Sequence, residues 1–281
     1  MTRLRTPISY YGGKQKLAAR IVSLIPKHTL YCEPFVGGAA IFFAKRPSKV
    51  EVINDTNREL VNFYRVVKED FTSLEAEVRT SLHSRDLHDK AWVVYNHPDL
   101  FTDIKRAWAV WILSSQSFAG MLDGSWGFDI SSNTTTKRFN AKRDGFTKVL
   151  AARLQRCQLE CADALYVIAS RDTPDSFFYC DPPYYNSDLG HYDGYSEQDY
   201  EELLYLLSRI KGKFLLSSYP SPPLQRYIKK FGWQKWSVRQ KVSVNAKGGD
   251  QKTKTEMLVA NYPIGEQLAA FEEPINPEID V

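Results

Sequence analysis

The chain has 281 residues, 43% hydrophobic and 25% charged, with a net charge of +4. That balance describes a globular protein able to bury one large core, or one core plus a smaller insert. No apolar run approaches the roughly 18 residues a membrane span needs, and Thr2 to Pro7 lack the apolar stretch of a signal peptide, so a secreted or embedded protein is not expected.

In chain order, the first predicted helix covers Lys14–Ile25, with Leu17, Ile21, Leu24 and Ile25 on one face and Pro26 as its stop. A strand is expected near Thr29–Glu33, then a Gly37-Gly38 turn into a helix through Ile41, Phe42 and Phe43. Lys49–Ile53 alternates as a second strand ending at Asn54-Asp55, which completes a βαβ opening. From about residue 57 to 155 the signals turn helical, with Ile104, Ala107, Trp108, Trp111 and Ile112 forming an apolar stripe. Within that region Phe118–Asn140 is rich in Gly, Ser, Asn and Thr, and Asp123-Gly124 is a hairpin-turn signal. Strand–helix alternation resumes after residue 156. Gln158–Cys161 and Phe177–Cys180 read as buried strands, Ser196 and Asp199 as a capping box, Lys213–Ser218 as a further strand, and Trp233–Val244 and Met257–Asn261 as β-like. The pattern is an α/β domain interrupted by a mainly helical insert. The expected division is residues 1–56 with 157–264 as one domain, 57–156 as the insert with a hairpin near 118–140, and 265–281 as an acidic tail.

Charge is partitioned along the chain. Residues 1–30, 137–156 and 226–254 together hold 22 bases and two acids, leaving the remainder net acidic. Three separate basic runs, the last interleaved with Tyr227, Phe231, Trp233 and Trp236, suit a polyanion-binding face. Cys32, Cys157, Cys161 and Cys180 are too irregularly spaced for a disulfide framework or a zinc site. They point to reduced thiols in a cytosolic interior and to chemistry without a metal.

Two local patterns carry chemistry. A glycine turn after a strand lets the backbone approach a ligand, and an acid such as Asp55, about 20 positions on, suits ribose hydroxyls. Ala39 and Phe42 occupy the later positions of a dinucleotide fingerprint, which disfavours a pyrophosphate cofactor and leaves nucleosides such as S-adenosylmethionine open; a purely structural turn fits this pattern equally well. Asp181-Pro182-Pro183-Tyr184 follows an apolar strand, where open α/β sheets bind ligands. Its prolines remove two N–H donors and leave carbonyls as acceptors. A carboxylate beside those carbonyls suits an exocyclic amine, and Tyr184 suits stacking on a planar base.

These residues resemble the Dam-like group (D12 class, alpha type) of DNA adenine-N6 methyltransferases, over nearly the whole chain except the acidic tail. Tyr10-Tyr11-Gly12-Gly13-Lys14 is similar to the group's aromatic-x-Gly-Gly-Lys segment, and Glu33-Pro34-Phe35-Val36-Gly37-Gly38 to its cofactor loop. Asn54-Asp55-Thr56-Asn57 resembles its ribose-binding acid and helix start. Asp163 resembles a contact to the cofactor adenine, and Asp181–Tyr184 the catalytic tetrapeptide. Tyr10 stands where the group often has Trp, Ala39 where it often has Gly, and 118–140 differs from the GATC-reading hairpin.

The resemblance implies a Rossmann-like S-adenosylmethionine-dependent methyltransferase sheet and a helical target-recognition insert carrying a β-hairpin. It implies S-adenosylmethionine as co-substrate and double-stranded DNA as partner, with the target base flipped out. A cognate restriction endonuclease is a potential second partner, and the setting implied is bacterial cytoplasm, the protein being bacterial or phage-encoded. Asp181, Pro182 and Tyr184 are then the catalytic set, with Tyr10, Lys14, Phe35, Gly37, Asp55, Asp163 and Asp181 at the cofactor. Lys14 is expected on its carboxylate, and no metal is expected.

Cytosine-N4 methylation uses similar loop chemistry, but Asp rather than Ser at 181 and the order of motifs favour adenine. Protein-glutamine and RNA methyltransferases share such a loop; the insert and the basic runs favour duplex DNA. A catalytically silent DNA-binding module is opposed by intact Lys14, Asp55, Asp181 and Tyr184, and an oxidoreductase by the incomplete glycine fingerprint.

Overall fold

The computed structural model describes residues 4–185, 195–241 and 253–264. The chain divides into two compact units, Met1–Val22 with Thr29–Arg171, and Ser23–His28 with Asp172–Val281.

The first unit is built on three parallel strands, β1 (Leu30–Glu33), β2 (Val50–Asn54) and β3 (Cys157–Glu160), with β2 central. All but the first residues of β1 and β2 are buried, as suits parallel strands covered on both faces. Helix α1 (Ala18–Leu24) precedes β1 and α2 (Ala40–Ala44) joins β1 to β2. Six helices separate β2 from β3: α3 (Arg58–Glu69), α4 (Phe71–Arg79), α5 (Arg85–Asn96), α6 (Asp103–Gln116), α7 (Thr134–Gly145) and α8 (Lys148–Leu154). Helix α6 is buried on every side from Ala107 to Ser114 and packs against α3, α4 and α5. Trp111 meets Phe139 and Phe146, while Phe146 stacks on Phe71 at 5.1 Å. A buried ion cluster fixes β2: Lys45 Nζ lies 2.5 Å from Glu51 Oε1, and Arg153 pairs with Glu51 while donating to the Phe42 carbonyl at 2.8 Å. Helix α9 (Ala164–Ser170) closes this unit.

In the second unit β4 (Ser176–Cys180), wholly buried, runs parallel to β5 (Lys213–Ser218). Strand β7 (Thr253–Ala260) lies antiparallel between β5 and β6 (Gln234–Lys241). Helices α10 (Glu197–Leu207) and α11 (Pro222–Phe231) complete it. The expected capping box is present: Ser196 Oγ accepts from the Asp199 N–H, and the Asp199 carboxylate from the Ser196 N–H at 2.7 Å. Ser221 caps α11, whose Pro222 and Pro223 occupy first-turn positions that need no N–H, and Gly232 at φ 66° ends it.

Two differences from the sequence reading have physical causes. The first helix starts at Ala18, because Lys14–Leu17 form turns continuous with the Gly12-Gly13 segment. The hairpin expected within 118–140 is reduced to an isolated bridge, Ser117 with Trp126, closed by a Met121–Gly124 turn. The second half of that stretch enters α7, polar on nearly every face with only Phe139 buried, so it carries no helical period to read. The last residues of the predicted 233–244 strand and the 265–281 tail lie outside the described residues.

Candidate active site

In the first unit the glycine turn is a built feature. Gly37 has φ +45°, and a Cβ there would come within 3.0 Å of the Tyr10 ring; one on Gly38 would reach 2.9 Å from Tyr10 Cβ. The turn therefore exists to seat Tyr10 against bare backbone. Ala39 follows at φ 55°, the left-handed region that favours glycine. Asp55, just past β2, accepts from the Gly37 N–H and the Asn57 N–H, both at 3.0 Å. Burial raises its carboxyl above the usual range against the lowering effect of those N–H donors. The Thr56 N–H also bonds to it, so of a carboxylate's roughly four lone-pair sites one remains beyond these three bonds.

Asn54 fastens two loops together. Its Nδ2 donates to the carbonyls of Pro34 at 2.9 Å and Ala162 at 3.0 Å, and its Oδ1 accepts from the Ala162 N–H at 2.9 Å. Asp163 follows at once and caps α9 through the Tyr166 N–H. Tyr64, on α3, donates to the Gly37 carbonyl at 2.7 Å. Tyr10, Gly37 and Asp55 thus come together directly, and Asp163 is tied in through Asn54. Phe35 lies half-buried in the Pro34–Gly37 loop. Lys14 is buried, and its Nζ donates to the Gly12 carbonyl at 2.9 Å within its own turn.

In the second unit Asp181, Pro182 and Tyr184 follow directly on β4, whose burial holds the loop's root. The Tyr184 hydroxyl lies 3.1 Å from Asp181 Oδ1, 3.0 Å from Ser217 Oγ and 3.1 Å from Glu256 Oε1. Ser217, at the end of β5, donates to Glu256 Oε1 at 2.6 Å. The Tyr184 ring leans on Tyr219, centroids 4.4 Å apart at 58°. Burial first, then Asp181 and Glu256, hold the Tyr184 phenol well above its ordinary range, so it stays protonated. The Tyr184 ring, expected as a stacking surface, is thus also anchored through its hydroxyl.

Sequence reasoning missed Ser217, Glu256 and the fastening role of Asn54. The signal for Glu256 was a lone acid against the apolar run Met257–Ala260, where an unpaired charge would be costly.

In the insert, His83, Trp126 and Phe128 stack in sequence at 5.1 and 5.5 Å, with the Arg85 guanidinium 4.7 Å from the Trp126 ring centre. A cavity of about 370 Å³ beside them is lined by Asp129, Ser131, Asn133 and Thr136 among others. The 137–156 basic run is not all surface. Arg153 belongs to the buried Glu51 cluster because a buried carboxylate needs partners. Lys142 is lowered to about 8 by burial and by Arg138. Parts of the 226–254 run lie outside the described residues. Among the described residues no group of three or more His, Cys, Asp or Glu is placed to hold a metal ion, and no helix is long and apolar enough to cross a membrane.

The profile of the D12 class N6 adenine-specific DNA methyltransferase family matches residues 10–242. The chain is 27% identical over 278 residues to a type II methyltransferase of Lactococcus lactis subsp. cremoris, covering 92% of this chain and 96% of that one. It is 26% identical over 289 residues to a type II methyltransferase of Methanocaldococcus jannaschii, covering 91% and 98%. It is also 23% identical over 269 residues to a DNA N-6-adenine-methyltransferase of Escherichia phage P1, covering 90% of this chain and 35% of that longer protein.

Proposed function

The chain belongs to the D12 class of N6 adenine-specific DNA methyltransferases, and from that premise we propose that Asp181, Pro182 and Tyr184 form its catalytic loop and that Tyr10, Lys14, Phe35, Gly37, Asp55 and Asp163 hold its co-substrate. The observation that carries the reading is the Asp181–Tyr184 loop at the carboxyl end of a wholly buried strand. The residues present fit a nucleoside: a glycine turn closed by Tyr10, and an acid with spare acceptor capacity beside it. Bound S-adenosylmethionine supplies a methyl group on a sulfonium that leaves as a neutral thioether.

Adenine N6 is a weak nucleophile because its lone pair is delocalised into the ring. The Asp181 carboxylate and the Pro182 carbonyl accept its N–H bonds, which favours a pyramidal nitrogen with a localised lone pair. Both are acceptors only, so they stabilise the positive charge that develops on nitrogen. Tyr184 receives the base by stacking, and extruding that base costs a few kcal/mol. Asp55 binds ribose hydroxyls, Lys14 the carboxylate and Asp163 the adenine of the co-substrate. Orientation of the pair in line is the main contribution of the protein.

Residues 57–156 form the target-recognition insert in this reading, acting on duplex DNA, with exposed lysines and arginines on phosphates. A cognate restriction endonuclease is a second partner in this reading, two of the relatives being named type II methyltransferases. The setting is the cytoplasm of a bacterial host. Incubation with unmethylated duplex DNA and S-adenosylmethionine, then nucleoside mass spectrometry, tests the reading. N6-methyldeoxyadenosine that disappears in Asp181→Ala supports it. N4-methyldeoxycytidine, or full turnover by Asp181→Ala, refutes it.

A further inference from the structure

The hydrogen bonding around Tyr184 contains a surplus of acceptors. Its hydroxyl has one proton, yet Asp181 Oδ1 and Glu256 Oε1 stand at the same distance from it, 3.1 Å. A single O–H serves one of them at a time. Ser217, 3.0 Å from the same hydroxyl, directs its own proton to Glu256 at 2.6 Å and so holds that carboxylate in place. Glu256 is only 8% exposed and sits on β7, on a stretch that continues as Met257, Leu258, Val259 and Ala260, all buried. An acid there forfeits solvation that a methionine or leucine would not need. It also lies outside residues 10–242, the part of the chain that the family profile matches.

We propose that Glu256 is a positioning residue for methyl transfer, the alternative acceptor that draws the Tyr184 hydroxyl away from Asp181 when Asp181 takes a proton from the reacting amine. The inference rests on the catalytic reading of Asp181. In the step itself, the N6 lone pair forms the bond to the methyl carbon and the electron pair of the carbon–sulfur bond passes to sulfur. The nitrogen is left with one proton in excess, and Asp181 accepts it. While the Tyr184 O–H points at Asp181 it weakens that carboxylate as a base. Once the carboxyl is protonated it is the poorer acceptor, and the Tyr184 proton turns to Glu256. The ring stays where it is, because Tyr219 packs on it in either state. Asp181 returns its proton to water as the product leaves.

Single-turnover methyl transfer at saturating DNA and S-adenosylmethionine tests this, with dissociation constants for both measured alongside. Glu256→Gln, nearly isosteric, is expected to lower the rate constant about tenfold, the effect of one hydrogen bond to a charged group, with both dissociation constants within twofold of wild type. In a Tyr184→Phe background, which removes the hydroxyl, the same substitution is expected to have no further effect. Glu256→Asp, which keeps the charge and withdraws the carboxylate by one methylene, is expected to lose rate to a similar degree and guards against a folding defect in the first variant.

An unchanged rate in Glu256→Gln overturns the proposal. So does an equal loss in the Tyr184→Phe background, and so does a loss that appears as weakened binding. Asp181→Ala is run in parallel. If it abolishes turnover while Glu256→Gln is unimpaired, the inference alone falls; if it retains turnover, the catalytic reading falls with it.

Discussion

Replacing Asn54 by alanine should undo the fastening of the Pro34 and Ala162 loops with little change of volume elsewhere. Asn54 is 1% exposed and makes three hydrogen bonds of 2.9–3.0 Å to backbone groups. At about 1 kcal/mol net for each bond, the loss is about 3 kcal/mol, and water entering the vacated space reduces it by re-satisfying the carbonyls. The Ala162 N–H is the most direct witness, because Asn54 Oδ1 is the partner recorded for it. Amide hydrogen exchange under native conditions should show that proton exchanging about a hundredfold faster, equivalent to roughly 2.7 kcal/mol of lost protection. Co-substrate affinity, followed by calorimetry, should weaken in step, since the Pro34 loop leads to Gly37 and the Ala162 loop to Asp163. Unaltered protection of Ala162, or weakened protection with unaltered affinity, would refute the claim that Asn54 organises the co-substrate side of the site.

Asp55→Ala should weaken S-adenosylmethionine binding by about 10- to 100-fold, the worth of hydrogen bonds to a charged group; calorimetry showing less than a twofold change would remove Asp55 from the ribose. The Glu51 carboxyl is raised by burial but lowered more by Arg153 and Lys45, ending below its usual range. Its stabilisation is therefore complete above the unfolded value near 4.3 and is lost as pH falls through the lower folded value. Thermal melts of wild type and Glu51→Gln should differ by about 3–5 kcal/mol at neutral pH and draw closer as pH falls below about 4; curves that stay parallel would contradict the assignment. DNA affinity should fall steeply with salt, with a log–log slope near −0.9 for each phosphate neutralised, and a flat titration would exclude phosphate contacts by the basic runs.

The parts of this chain governed by local chemistry were legible beforehand. Lys213–Ser218, the Ser196–Asp199 capping box and the Gly37-Gly38 turn depend on periodicity, capping and φ, which neighbouring residues determine. The Asp123-Gly124 turn was legible too, but strands on either side of it required pairing partners that no local pattern specifies. Helix α7 was hidden for the opposite reason, being polar almost throughout. Of the candidate site, Asp55 against Gly37 followed the known spacing of such turns. Asn54 reaching Ala162 and Tyr184 reaching Glu256 span 108 and 72 positions and arise only once the strands are laid side by side.

Cys32, Cys157 and Cys180 are buried, and Cys161 alone among the four thiols is exposed. Burial pushes Cys157 up to about 12 and Cys180 higher still, while Cys161 is raised by partial burial. Alkylating reagents at mildly alkaline pH should therefore mark one place on the native protein, two residues before Asp163. An environment-sensitive dye attached there would ride on the loop that Asn54 fastens, giving the unmutated enzyme a built-in optical gauge of that loop as small molecules and DNA come and go.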